Sequence, residues 1–221
     1  MPLDQLRQRL IDTFARWGKP GAMRVDNGLP LGSPTRQLTP VLALWLIAVD
    51  VDMIWNKPAC PQQNGRVEKM QDTTARWAEI EQASSLSNLQ TRLDTALALH
   101  RQTYPVVRLG GKTRLMAFPQ LETSRRLYAA SDFRIERVYG FLSSKLYTRR
   151  VSANGQISHY GRVYSVGTAY KQQWVQLRLT GDGSSWEVLA GHQVVKRLDA
   201  PMLTVQSIQN LTVFQSTKYQ T

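Results

Sequence analysis

The hydrophobic pattern of the chain changes its period at about residue 145. Before that point apolar residues recur every three or four positions, and after it they tend to alternate with polar ones. A period near 3.6 is typical of amphipathic helices, and a period of two is typical of half-buried strands. The pattern therefore predicts an α/β part followed by an all-β part.

Four long helices and two short strands are predicted in the first part. The clearest helix is 3–17, whose apolar stripe is Leu3, Leu6, Leu10, Phe14 and Trp17. Residues 41–49 are apolar almost all round, so this helix is predicted to be buried on more than one side. The two strands flank it, and the helices and strands together are 3–17, 23–25, 41–49, 51–55, 66–82 and 86–103.

Polar residues mark several helix starts. Thr39 before Pro40 is typical of an N-cap followed by proline at the first helical position. Ser87 with Gln90 three residues later has the spacing of a capping box. Asp132 is predicted to cap a short helix that carries Phe133, Val138 and Leu142.

Five short strands are predicted after residue 145, at 147–151, 157–166, 174–179, 186–189 and 194–198. The turns between them include Asn154-Gly155 and Gly181-Asp182-Gly183. Five short strands within about 55 residues predict a small, strongly bent barrel of SH3-like or OB-like size. Trp174 and Trp186 are predicted to lie in its core, and core packing is the favoured interpretation of its tyrosines.

The positive charge of the chain is concentrated in its second half. Residues 101–221 hold 17 Lys and Arg against six Asp and Glu, whereas residues 1–100 hold 11 against ten. A strongly basic half indicates a surface for a polyanion such as nucleic acid, although a merely solvated basic surface is the alternative. The single Cys60 excludes an internal disulfide framework and favours a reducing cytoplasm. No apolar run approaches the roughly 20 residues of a membrane span, and no signal peptide is expected.

Two carboxylates stand where metal-dependent chemistry could use them. Asp26 follows the strand 23–25, and Glu68 falls in the first turn of the helix that Asn64-Gly65 opens. Mg²⁺ prefers oxygen ligands, usually one or two carboxylates with phosphate and water. Each residue also has an ordinary interpretation, Asp26 as a turn former and Glu68 as a helix-dipole residue.

In combination these two segments resemble a known family. Asp26-Asn27-Gly28 and, about forty residues later, Pro61-Gln62-Gln63-Asn64-Gly65-Arg66-Val67-Glu68 are similar to the second half of the catalytic core of DDE integrases and insertion-sequence transposases. The resemblance continues through 101–105 and 109–113, and then from Arg149-Arg150-Val151 to 164–167. Two departures are Arg114, where the family has Pro, and His100-Arg101, where it has Tyr-Asn.

The resemblance implies an RNase H-like core in which an Asp, a second Asp and a Glu bind two Mg²⁺ or Mn²⁺. Asp26 and Glu68 would be the second and third of these catalytic and metal-binding residues. The first Asp of the family lies on a strand before the first helix, whereas Asp4 and Asp12 here lie within the helical stretch. We therefore expect a partial core that lacks its first three strands and is inactive alone.

The expected fold class is α/β plus all-β. It consists of a partial RNase H-like core at 1–104, a basic helical linker at 105–146, an SH3-like small β-barrel at 147–200 and a tail at 201–221. Basic and polar residues near the Glu and along the second half are the predicted DNA contacts: Asn64, Arg66, Lys69, Arg125, Arg126, Arg134, Arg137, Lys145, Arg149, Arg150 and Arg162.

Three functional hypotheses follow. The first is a DNA-binding fragment of a strand transferase that acts in DNA integration or transposition. Its expected partners are DNA and either further copies of the chain or full-length transposase. Its expected location is the prokaryotic cytoplasm, at the nucleoid. The second is a non-catalytic DNA-binding or regulatory module that associates with a full-length transposase. The third is an unrelated basic barrel protein that carries similar motifs by chance.

Overall fold

The computed structural model describes residues 1–32, 38–123 and 125–213. They form a mixed α/β fold in which helices dominate the first two-thirds and antiparallel strands the last third. Contacts divide the chain into two compact units, one formed by Met1–Trp55 with Tyr128–Thr221 and the other by Asn56–Leu127. This division differs from the predicted domain limits at 104, 146 and 200, which stay predictions.

The first unit begins with two helices and two parallel strands. They are α1 (Leu3–Trp17), β1 (Ala22–Val25), α2 (Val41–Ala48) and β2 (Asp52–Trp55). The bounds that the hydrophobic pattern predicts for these four elements are confirmed to within a residue or two. β1 and β2 pair in parallel, and α2 belongs to the crossover that parallel neighbours require. Every residue of α2 is buried, as its all-round apolar character predicts.

The second unit is helical. Its elements are α3 (Gly65–Ala78), α4 (Leu86–Ala98), α5 (Arg114–Ala117) and α6 (Gln120–Thr123), and a π-helical turn, Leu99–Thr103, extends α4. The predicted capping box at Ser87 is wrong, because the N-cap of α4 is Ser85, whose hydroxyl accepts from the Asn88 backbone N–H at 3.1 Å. The ring of Trp77 packs against His100 and Tyr104 at centroid distances of 5.7 and 5.0 Å.

The chain then returns to the first unit with α7 (Ile135–Ser143) and the strands of the basic half. These are β3 (Tyr147–Arg150), β4 (Gln156–His159), β5 (Arg162–Ser165), β6 (Trp174–Leu179), β7 (Ser185–Ala190) and β8 (Gln193–Asp199), and α8 (Val205–Gln209) follows. The single strand predicted at 157–166 is two strands, because Tyr160 and Gly161 both have positive φ and reverse the chain.

The strands form an antiparallel sheet of order β3-β6-β7-β8 and a separate hairpin of β4 and β5. The hydrogen bonds between the described strands do not close a barrel. The hairpin nevertheless faces the sheet, since the buried His159 of β4 contacts the rings of Tyr147 and Trp186. Trp186 is buried, so its predicted core position is confirmed.

Two predicted helix caps are corrected by long-range contacts. Thr39 does not cap α2 with its side chain; its hydroxyl lies 3.2 Å from the Tyr147 hydroxyl on β3. Asp132 does not cap α7, because it binds the buried ammonium of Lys19 and accepts from the backbone N–H of Ala129 at 3.2 Å. In both cases the side chain that local spacing predicts as a cap instead contacts a residue more than 100 positions away in the sequence.

Within the described residues, no helix has both the length and the apolar character needed to cross a membrane.

A prediction about stability concerns the turn at Gly155, which has a φ of +72°. A Cβ there would stand 2.6 Å from the carbonyl carbon of Gly167, a backbone atom that cannot swing away. Gly191 has a similar φ of +62° but nothing within 4 Å of a Cβ. Gly191→Ala should cost about 1–2 kcal/mol of unfolding free energy from the left-handed backbone alone.

Gly155→Ala should cost a further 1–3 kcal/mol or so from overpacking against that backbone. Urea denaturation of the two variants measures the difference directly, because Gly191→Ala carries the backbone strain without the clash. Equal losses of unfolding free energy in both variants would contradict the close approach of Gly155 to the backbone of Gly167.

Candidate catalytic carboxylates and basic surface

The exposed carboxylate of Asp26 lies at the carboxyl end of β1, where the sequence predicts it. Its Oδ1 accepts from the Gly28 backbone N–H at 3.0 Å, which is the local turn that Asp commonly forms. Its Oδ2 has no hydrogen-bond partner in the described part of the first unit. Asp26 is therefore a turn former whose carboxylate stays exposed, and the turn does not exclude the interpretation as a ligand.

Close backbone packing holds the loop behind Asp26. The Gly32 N–H donates to the Gly28 carbonyl at 2.7 Å, and a Cβ on Gly32 would stand 2.5 Å from the carbonyl carbon of Asn27. The indole N–H of Trp55, at the end of β2, donates to the Leu31 carbonyl at 2.9 Å. β1 therefore holds the start of this loop, and Trp55 of β2 holds it at Leu31.

Glu68 lies in the first turn of α3, as predicted, and is exposed. The polar residues just before it are used to build the helix start. The Asn56 amide donates to the Asn64 side-chain oxygen at 2.5 Å, and the Lys57 backbone N–H donates to the Gln63 side-chain oxygen at 2.9 Å. Asn64, a predicted DNA contact, thus has an internal role in forming the turn that presents Glu68.

The two carboxylates belong to different compact units, Asp26 to the first and Glu68 to the second. Among residues 1–32, 38–123 and 125–213 no group of three or more His, Cys, Asp or Glu side chains is arranged to hold a metal ion.

Several of the predicted DNA-binding arginines have internal hydrogen bonds. Arg137 donates to the carbonyls of Asp132 and Ala48 at 3.1 and 3.3 Å and lies 3.6 Å from the carboxylate of Asp50. Arg134 donates to the carbonyl of Ser131 at 2.6 Å. The Arg137 guanidinium therefore links the segment before α7 to the end of α2, whereas the Arg134 guanidinium bonds within its own segment.

Arg149 is the most deeply engaged of the predicted DNA contacts. Its guanidinium donates to the Ser158 and Thr148 carbonyls at 3.0 and 2.7 Å, and its Nη2 lies 2.9 Å from Nδ1 of His159. Burial lowers the pKa of Arg149. Burial and the nearby guanidinium lower the pKa of His159 to about 3, so this histidine is neutral in the native fold.

The other predicted basic contacts are exposed. Arg150 donates weakly to the Gln172 carbonyl at 3.5 Å, and Arg162 lies 3.0 Å from the Met202 sulfur. The Lys145 ammonium is 5.0 Å from the centre of the Phe141 ring, and Lys69 is 4.0 Å from Asp72. Arg66, Arg125 and Arg126 are also exposed. These side chains can reach solvent, which phosphate contact requires.

The structure corrects the prediction for Trp174, which is 66% exposed and does not lie in the core. The signal was present in the alternation of β6. Val175, Leu177 and Leu179 are buried, so Trp174, Gln176 and Arg178 must lie on the opposite face of the strand. Size and aromatic character suggested the core, but register decides the side.

A search against protein-family models finds none that matches the chain.

Proposed function

We propose that this chain is a DNA-binding part of a strand transferase of the DDE integrase and transposase class. The observation that carries the proposal is the exposed Asp26 carboxylate at the carboxyl end of a parallel strand, with one oxygen that has no hydrogen-bond partner among the described residues. Carboxylates at such strand ends face the crevice in which α/β proteins bind ligands. Glu68, exposed on the first turn of α3, supports it, as does the ordered set of similar motifs.

In this proposal β1, α2 and β2 belong to an RNase H-like core, and β3 to β8 form a small SH3-like barrel fold. The contact of His159 on the hairpin with Trp186 on the sheet supports the second part, because it encloses one aromatic core between the two. The implied ions are Mg²⁺ or Mn²⁺, for which Asp26 and Glu68 would supply carboxylate oxygens. DNA is the proposed partner, either with further copies of the chain or with full-length transposase.

The net charge of +12 and the exposed arginines of the basic half supply the means to bind DNA. Such residues contact phosphates, position the duplex and carry little sequence information. The second candidate, a non-catalytic module that associates with a full-length transposase, uses the same surface. In a metal-dependent nicking assay, robust nicking by this chain that Asp26→Asn abolishes would favour a catalytic role over the module.

Binding to duplex DNA should weaken steeply as salt rises. Each phosphate neutralised contributes about −0.9 to the slope of log affinity against log salt, so four or more contacts give a slope near −3.6 or steeper. Replacing Arg150, Arg162 and Lys171 together by Gln should make the slope shallower by about 2 to 3. Fluorescence anisotropy with a labelled duplex measures both.

The control is Arg76→Gln, because the guanidinium of Arg76 is bonded to Asp72 at 2.9 Å on the surface of α3. It should leave the slope unchanged. If the wild-type protein shows no salt-dependent binding to DNA, the proposed function is wrong.

A further inference from the structure

The exposed indole of Trp174 lies on the outer face of the four-stranded sheet. Strand register sets it directly opposite Arg150 of β3. Side chains opposite each other on an antiparallel pair have Cβ atoms about 4.5–5.5 Å apart, so the indole and the guanidinium are neighbours. The Arg150 guanidinium also lies near the turn that leads into β6, since its Nε is 3.5 Å from the Gln172 carbonyl oxygen.

The charge around Trp174 is positive. Lys171 is exposed on the same turn, three residues before the tryptophan. The next residues along this face, Thr148 and Gln176, are an uncharged polar pair in register with each other. No carboxylate therefore comes between Trp174 and the two cations at this end of the sheet, within the described strands.

The nearest acidic residue further along the face is already neutralised. Glu187 accepts from Arg178 at 2.8 Å and from Arg197 at 3.1 Å, and these hydrogen bonds lower the pKa of its carboxyl, that of Arg178 most. Arg178 is four residues beyond Trp174 on β6, or about 13 Å along the strand. Among the residues that the structure describes, this face consequently offers one exposed indole and two nearby cations, and its nearest carboxylate is paired with arginines.

We propose that this face binds single-stranded nucleic acid, with a base stacked on Trp174 and the adjoining phosphates on Arg150 and Lys171. An exposed aromatic ring with flanking cations on an antiparallel sheet suits unpaired bases, whose faces are free for stacking. In a duplex those faces are covered by neighbouring base pairs. The proposal rests on the proposed DNA binding and assigns it a surface and a substrate class: unpaired strand.

Trp17 provides a matched control. It is also exposed, at 42%, and also has an adjacent arginine, but the guanidinium of Arg16 already lies 4.8 Å from the centre of its ring. Trp17→Ala therefore removes an exposed tryptophan of similar chemistry from a different surface, α1. Both variants change exposed side chains, and thermal unfolding followed by circular dichroism verifies that each remains folded.

The test measures binding of labelled oligothymidine and of a labelled duplex of equal length to the full chain and its variants. Base stacking lost on alanine substitution is worth about 1–3 kcal/mol, so Trp174→Ala should weaken oligothymidine binding about 5- to 150-fold. Trp174→Ala should change duplex binding less than twofold. Trp174→Phe should retain part of the oligothymidine affinity that Trp174→Ala loses. Trp17→Ala should change neither oligothymidine nor duplex binding.

Four outcomes would overturn the proposal. Unchanged oligothymidine affinity in Trp174→Ala, or a wild-type protein that binds only duplex, removes this site while the proposed function stands. Wild-type protein that binds neither DNA overturns both. Polyglutamate binding with the same dependence on Trp174 would show that the surface takes an acidic polypeptide instead.

Discussion

Asp132→Ala should lower the free energy of unfolding by about 3–5 kcal/mol, whereas Lys19→Met should cost about 1 kcal/mol or less. The reason is the unequal burial of the ion pair they form. The side chain of Lys19 is 3% exposed and that of Asp132 is 32% exposed. Removing Asp132 strands an ammonium inside the protein, while removing Lys19 leaves a carboxylate that water already reaches.

The double variant Lys19→Met with Asp132→Ala should recover most of the loss. A buried pair replaced by apolar groups is often close to neutral, because neither charge is left without a partner. Chemical denaturation at neutral pH of the wild type, the two single variants and the double variant gives the full cycle. Equal costs for the two single variants would contradict the unequal burial on which the prediction depends.

The sequence could predict the elements of this fold but not the partner of Lys19. Periodicity located α1, α2 and β6 closely, because each pattern reflects burial of one face or of all faces. Lys19 follows the first helix and Asp132 lies 113 residues later, and no local pattern relates the two. Spacing assigned Asp132 to a helix cap, the nearest use for it, and tertiary contact overrode that choice.

The basic surface shows the same limit at the level of single residues. Arg149 and Arg150 are adjacent in sequence and were predicted to bind DNA alike. Alternation along β3 sends the first inward to His159 and leaves the second at the surface beside Trp174. Charge composition identifies a basic half, but the register of the sheet decides which of its cations lie at the surface, where a phosphate can bind.

Local sequence signals predict where each candidate carboxylate lies, but not whether the two act together. The structure has Asp26 directly after β1 and Glu68 in the first turn of α3, as those signals predict. Their joint use depends on long-range arrangement, which local signals do not determine, and remains part of the proposed function.

Acid should destabilise the first unit through His159, which is 1% exposed. The Arg149 guanidinium donates to Nδ1, so the hydrogen of the neutral ring is on Nε2, which has no hydrogen-bond partner among the described residues. Rings of Tyr147, Tyr160 and Trp186 surround the imidazole at centroid distances of 4.3–5.2 Å. A second proton would place a positive charge in this apolar cage, facing an arginine.

The pKa of His159 is about 3 in the folded protein against 6.5 for an ordinary histidine. Between these values the unfolded chain binds one more proton than the native one, so falling pH favours unfolding. The contribution of this neutral histidine is fully present above about pH 6.5 and is lost progressively as pH falls toward 3. At about 1.4 kcal/mol per pH unit, the whole loss is of order 5 kcal/mol.

His159→Phe keeps an aromatic ring in the cage and removes the titration. The unfolding free energy of the variant should therefore lose about 1.4 kcal/mol per pH unit less than the wild type between pH 6 and pH 4. His192→Phe, at an exposed turn, is the control and should retain the wild-type slope. Urea unfolding across this pH range measures the slopes, and parallel curves for wild type and His159→Phe would show that His159 takes up its proton without leaving the fold.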